Sequence, residues 1–98
     1  GAALSSASIV NPSFDEQSFT VFPNPVNNQA TVSYHIAQDS KVGMKIYDVV
    51  GREVTSVVDN TNQEPGDYSY LVPVSAPGIY FARLSINNQI FVKRIVKL

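Results

Sequence analysis

His35 is the only histidine among the 98 residues, so a hydrolytic triad, an imidazole proton relay or a histidine metal site would have to be built around it. A serine nucleophile needs that imidazole within reach and a carboxylate behind it, and the G-x-S-x-G turn that exposes such a serine does not occur. His35 lies in the alternating stretch 30–36, in phase with Thr31 and Ser33, which places it on the polar face of a strand. With no cysteine there is no thiolate nucleophile, disulfide or thiolate metal ligand. One imidazole and eight scattered carboxylates do not supply the clustered ligands of zinc or iron. The run Asp59-Asn60-Thr61-Asn62-Gln63-Glu64 is rich in oxygen donors but lacks the alternating acids and central glycine of a calcium loop, and reads as a solvated turn. The expectation is therefore no enzyme, no cofactor and no metal.

Recognition chemistry is the remaining class. Five Tyr and five Phe could form a sugar-stacking platform on one sheet face, as a glycan-binding module would need. Their phases argue otherwise: Phe22, Tyr34 and Tyr80 are expected in the core, with Tyr68 and Tyr70 in the core or at its edge. Seven Lys and Arg against eight Asp and Glu leave a net charge of −1, which creates no field to hold a polyphosphate and excludes nucleic acid as the main partner. The terminal run Ile90-Phe91-Val92-Lys93-Arg94-Ile95-Val96-Lys97-Leu98 joins continuous apolar character to three cations and a carboxylate. Such a strand has two readings. Its lysines guard a sheet edge against aggregation, or its basic strand is read by a receptor through strand addition and charge pairing.

The elements that position these residues are strands. A chain of this length is one domain, able to bury roughly 60–70% of its unfolded surface, and its 44% hydrophobic and 15% charged residues suit a folded core. Residues 1–17 are rich in Gly, Ala and Ser at first and carry no sustained period, as a flexible linker does. The folded part is expected over 18–98. There, β-branched, aromatic and aliphatic runs are broken at short intervals by Asn, Gly, Pro and Asp clusters, which predicts strands near 18–22, 29–36, 41–49, 52–58, 67–73, 78–86 and 89–98. Residues 59–66 are expected as an exposed loop, and Asn87-Asn88 as a two-residue hairpin turn. The last strand is expected to turn Val96 and Leu98 inward. The fold class is all-β: a seven-stranded antiparallel immunoglobulin-like β-sandwich, without the Trp and Cys pair of antibody domains. No apolar run of membrane-spanning length and no secretory signal occurs, and the sole methionine is Met44, so the chain reads as a piece of a longer protein.

Four short motifs occur in a fixed order. Val21-Phe22-Pro23-Asn24-Pro25-Val26 comes first, followed by Lys45-Ile46-Tyr47-Asp48-Val49-Val50-Gly51-Arg52-Glu53-Val54, then Pro77-Gly78-Ile79-Tyr80-Phe81-Ala82-Arg83-Leu84, and last Lys93-Arg94-Ile95-Val96-Lys97-Leu98. Each has a sufficient structural reading: Pro23 and Pro25 fix φ and hold their neighbours extended, and Gly51 and Gly78 serve turns. In this order and spacing they resemble the C-terminal sorting domain of the type IX (Por) secretion system of Bacteroidetes, over residues 18–98. The family-motif positions are then Pro23, Asn24, Pro25, Asp48, Gly51, Arg52, Gly78 and Tyr80.

The resemblance implies a non-catalytic export address. It follows a cargo domain already in the periplasm and is recognised by the outer-membrane translocon. A sortase-like peptidase then usually cuts near the domain's N-terminal edge, here within residues 1–17, and joins the cargo to anionic lipopolysaccharide at the cell surface. Translocon recognition is assigned to Lys93, Arg94, Ile95, Val96, Lys97 and Leu98. The competing reading is an immunoglobulin-like accessory or glycan-binding module of a secreted enzyme or adhesin, which predicts an exposed aromatic row and a dispensable C-terminus.

Overall fold

Period-two burial runs through the longer strands of the chain, and it divides them into two sheets that close over one core. The computed structural model describes residues 14–98. Seven strands follow a short 3-10 turn: β1 (Thr20–Phe22), β2 (Gln29–Ile36), β3 (Ser40–Asp48), β4 (Glu53–Gln63), β5 (Gly66–Pro73), β6 (Gly78–Ile86) and β7 (Gln89–Lys97). They form a three-stranded antiparallel sheet, β1-β2-β5, and a four-stranded one, β4-β3-β6-β7. This is the expected sandwich, with β4 paired to β3 and not to β5.

The inward set of β2 is Ala30, Val32, Tyr34 and Ile36, that of β3 Val42, Met44 and Ile46, and that of β6 Ala82, Leu84 and Ile86. Phe19, Val26, Val58, Val72, Val74 and Ile95 complete the core. Full burial of one such aliphatic side chain stabilises the fold by about 1.5–3 kcal/mol.

Two tyrosines pin the sandwich corners. The Tyr80 hydroxyl, at the start of β6, donates to the Ala76 carbonyl at 2.7 Å, and Tyr68, at the start of β5, donates to Glu64 at 2.6 Å. A tyrosine bonded back to the chain a few residues upstream is a hallmark of immunoglobulin-like sandwiches. Gly78, two residues before Tyr80, holds φ at +147°, where a side chain would be strained. The turn from β6 to β7 places Asn87 and Asn88 at φ of +48° and +73°, as their left-handed tolerance predicts.

Three expectations are corrected. Residues 59–63 are not a loop: they extend β4, pairing Gln63 with Ser40, Asn62 with Lys41 and Thr61 with Val42. The backbone groups of β3 need partners along its whole length, so pairing outweighs the polar composition. Asn60, at φ of +48°, lies at the shift in register. Phe22 is half exposed rather than core, because it ends β1 on the outer row Phe22–Thr31–Leu71. In β7 the inward side chain is Ile95, fully buried, while Val96 faces outward and Leu98 is exposed. The register of β7 on β6 sets this, aligning Ile95 with Tyr80 and Val96 with Ile79.

Candidate functional site: the terminal strand and its clasp

β7 pairs with β6 on one side only, so its other backbone edge needs another source of partners. Part of that edge is closed from far away in sequence. After β1 the chain leaves the three-stranded sheet through Pro23-Asn24-Pro25, whose two X-Pro bonds are cis, and reaches the edge of the other sheet. There the Asn24 amide Nδ2 donates to the Arg94 carbonyl at 3.0 Å, and Asn24 Oδ1 accepts from the Val96 N–H at 3.1 Å. Val26 N–H then donates to the Val96 carbonyl at 2.8 Å, and Val26 bridges Lys97 in parallel. Val26 itself is buried, which anchors the clasp in the core. The carboxamide thus takes the place of a neighbouring strand's peptide group.

The first and last motifs, some seventy residues apart, therefore form one unit. The apolar residue after the second proline was visible in the sequence; its pairing with β7 was not.

β7 divides the expected recognition residues between two faces. Lys93, Ile95 and Lys97 share the inward phase, aligned with Ala82, Tyr80 and Gly78. Ile95 fills the core, whereas Lys93 and Lys97 are half-buried. Their small partners leave room for lysine stems to lie along the sandwich with the ammonium groups in water. Arg94 and Val96 lie on the outer face, Arg94 beside Phe81 and Val96 beside Ile79. The Lys-x-x-x-Lys spacing thus sets two cations on one side of the strand, with Arg94 on the other.

The second motif is a self-contained turn. Asp48 Oδ1 accepts from the backbone N–H groups of Val50 at 3.1 Å and Arg52 at 2.9 Å, and Arg52 Nε donates to Asp48 Oδ2 at 3.0 Å. The Arg52 backbone bond, with help from its guanidinium and the Val50 N–H, holds the Asp48 carboxyl below its ordinary 3.8. Gly51 supplies the φ of +90° that closes the turn. Val49 and Val50 at the tip are exposed.

His35 is exposed, and its Nδ1 lies 2.8 Å from Asp67 Oδ1 across the outer face of the smaller sheet. Ser33, on the same face, instead shares a hydrogen bond with Thr20 at 3.0 Å. Phe22 is the one exposed aromatic side chain among the described residues, so the aromatic row of a sugar platform does not form. Among the described residues no cluster of acids and histidine is grouped as metal ligands would be. Residues 1–13, most of the expected processing stretch, lie outside those described; Phe14 follows them with its ring 5.0 Å from that of Phe91.

One comparison with known proteins agrees with the motif order. No curated protein and no solved structure matches the chain. The family model for the secretion system C-terminal sorting domain matches residues 20–98, from the first strand through the clasp, the Asp48 turn and the Tyr80 corner to the end of β7. With every strand inside that match, the chain belongs to the secretion system C-terminal sorting domain family, that of type IX sorting signals.

Proposed function

We propose that the type IX translocon reads this sorting signal chiefly through β7, with Lys93, Arg94 and Lys97 as charged handles. The family match carries the sorting role itself, and export to the outer membrane, the cell surface or the medium follows from it. The observation that supports β7 as the contact is its double anchoring: a strand paired with β6 and clasped by Asn24 holds its cations in one geometry before any partner arrives. In this reading the cargo lies N-terminal to the domain and passes through the periplasm. A sortase-like peptidase cuts within residues 1–17 and joins the cargo to anionic lipopolysaccharide. Engagement of Phe14 with Phe91, and of Ser18 with the Asp15 carbonyl, favours a cut before Phe14, since proteolysis needs extended and accessible backbone.

The test is to fuse residues 1–98 behind a periplasm-targeted fluorescent protein in a type IX-competent bacterium. Delivery to the surface or medium that disappears in a translocon mutant supports the reading. Lys93→Ala with Lys97→Ala is then expected to leave the reporter in the periplasm while the purified domain still melts cooperatively. Wild-type delivery of this double variant would remove the two lysines from the contact.

A further inference from the structure

We propose that the outer face of the four-stranded sheet is a second docking surface, for a protein partner whose contact strip sets carboxylates among apolar side chains. Arg83, Lys45 and Arg94 are its charged anchors. The inference rests on the sorting-signal reading, in which that partner belongs to the translocon.

Lys45 and Arg83 are direct cross-strand neighbours on β3 and β6. Adjacent strands lie about 4.8 Å apart, and like charges set opposite one another destabilise a sheet. Glu53 takes up Lys45 at 3.3 Å, but Arg83 is exposed and has no carboxylate partner among the described residues. On its other side Arg83 meets Val92, and Arg94 follows on the same face. With Lys41, four of the chain's seven Lys and Arg share this sheet face, whereas β1, β2 and β5 carry none. A group that bridges Lys45 and Arg83 offsets their repulsion, and a carboxylate has the charge and the fork of oxygens to do so.

The surface has relief to receive one. Gly43, on the outer phase between Lys41 and Lys45, leaves a concavity of about 210 Å³ lined by Lys45, Tyr47, Asp59, Arg83 and Ser85. Asp59 and Glu53 keep the face from being uniformly basic, and the chain's net charge is −1. That balance does not suit a polyanion. Exposed Val92 lies between Arg83 and Arg94, with exposed Ile90 and Ile79 further along the same face, and these side chains gain only from an apolar counterpart, as a protein surface provides.

The test uses the fluorescent fusion of the full chain. Arg83→Glu is expected to lower delivery at least about tenfold, as loss of an interface arginine anchor does, with Arg83→Gln in between. Ser69→Glu, on the other sheet's outer face, is expected to leave delivery unchanged. Excess untagged wild-type domain in the periplasm should compete with the fusion, and the Arg83→Glu domain should not. Thermal melts of the purified variants separate misfolding from lost contact; if Arg83→Glu does not fold, Arg83→Gln decides by the same comparison. Wild-type delivery of Arg83→Glu and of the Lys45→Glu, Arg83→Glu pair would overturn the surface while leaving the sorting signal standing. Translocon-independent delivery of the unmutated fusion would remove both. Arg83-dependent pelleting with anionic phospholipid vesicles, combined with unchanged delivery, would overturn the protein partner in favour of a membrane surface.

Discussion

An edge strand carries outward amides and carbonyls that water or another chain will satisfy, and at Arg94 and Val96 a single side chain does so first. Asn24→Ala removes both bonds and should cost about 1–3 kcal/mol in denaturant unfolding, at roughly 0.5–1.5 kcal/mol for each hydrogen bond. The same variant should speed amide exchange at Val96 while the β7 amides bonded to β6 remain protected. Unchanged exchange at Val96 would show that the carboxamide is not its partner in solution. Asp48 acts differently, through charge. Its folded value lies below that of the unfolded chain, so its contribution is fully present above the ordinary carboxylate value and is lost as pH falls through the lower, folded one. Asp48→Asn keeps an oxygen for the turn but loses the carboxylate facing Arg52. It should therefore melt at a lower temperature than wild type near neutral pH, with the two melting temperatures converging as the solution is taken below pH 3.8. A gap that stays constant with pH would assign the effect to packing.

The extension of β4 explains a polar cluster that links the two sheets. Carried past Asp59, the strand delivers Gln63 to the Tyr34 hydroxyl, which donates to its Oε1 at 2.6 Å, while Gln63 Nε2 donates to the Tyr70 hydroxyl at 3.0 Å. One amide so joins the two sheets. Burial, then the Tyr70 hydroxyl, pushes the Tyr34 phenol far above its ordinary 10, so the folded chain keeps this proton where the unfolded chain releases it. Stability should fall as pH rises above 10, and the absorbance change near 295 nm should include Tyr34 only once the domain unfolds. Reversible early ionisation of all five tyrosines would contradict the buried bond. In β7 the element rather than the motif decides which residues can be altered safely. Ile95→Ala should cost about 2–5 kcal/mol, as buried isoleucine truncations do, whereas Val96→Ala should cost much less. Equal losses in urea unfolding would mean that the strand has shifted register.

The whole molecule is asymmetric: one outer face carries hydroxyls and the His35–Asp67 pair, the other carries most of the cations, and the clasped strand borders the second. Deleting residues 95–98 removes the core side chain of Ile95 together with Lys97 and leaves Lys93 in place, which is why substitution of Lys93 and Lys97 tests recognition more cleanly than truncation does. Much of this domain was legible before any coordinates. Alternation in 30–36 marks one face as core, Asn87-Asn88 and Gly51 meet local backbone demands, and the ordered motifs carry the family. These properties lie within a few residues of one another, where backbone geometry and side-chain period act directly. Phase in β7 was not legible, because Ile90-Phe91-Val92 and Ile95-Val96 are apolar at both parities and only the register on β6 chooses between them. Polar residues 59–63 became strand because a distant edge of β3 needed partners. Phe22 became surface because the chain changes sheets after it. Most of all, neither the meeting of Asn24 with Arg94 and Val96 nor that of Lys45 with Arg83 is written in local spacing. The first exists only where the chain crosses from one sheet to the edge of the other, and the second only where β3 and β6 pair, each bringing remote segments within hydrogen-bonding or Coulomb reach.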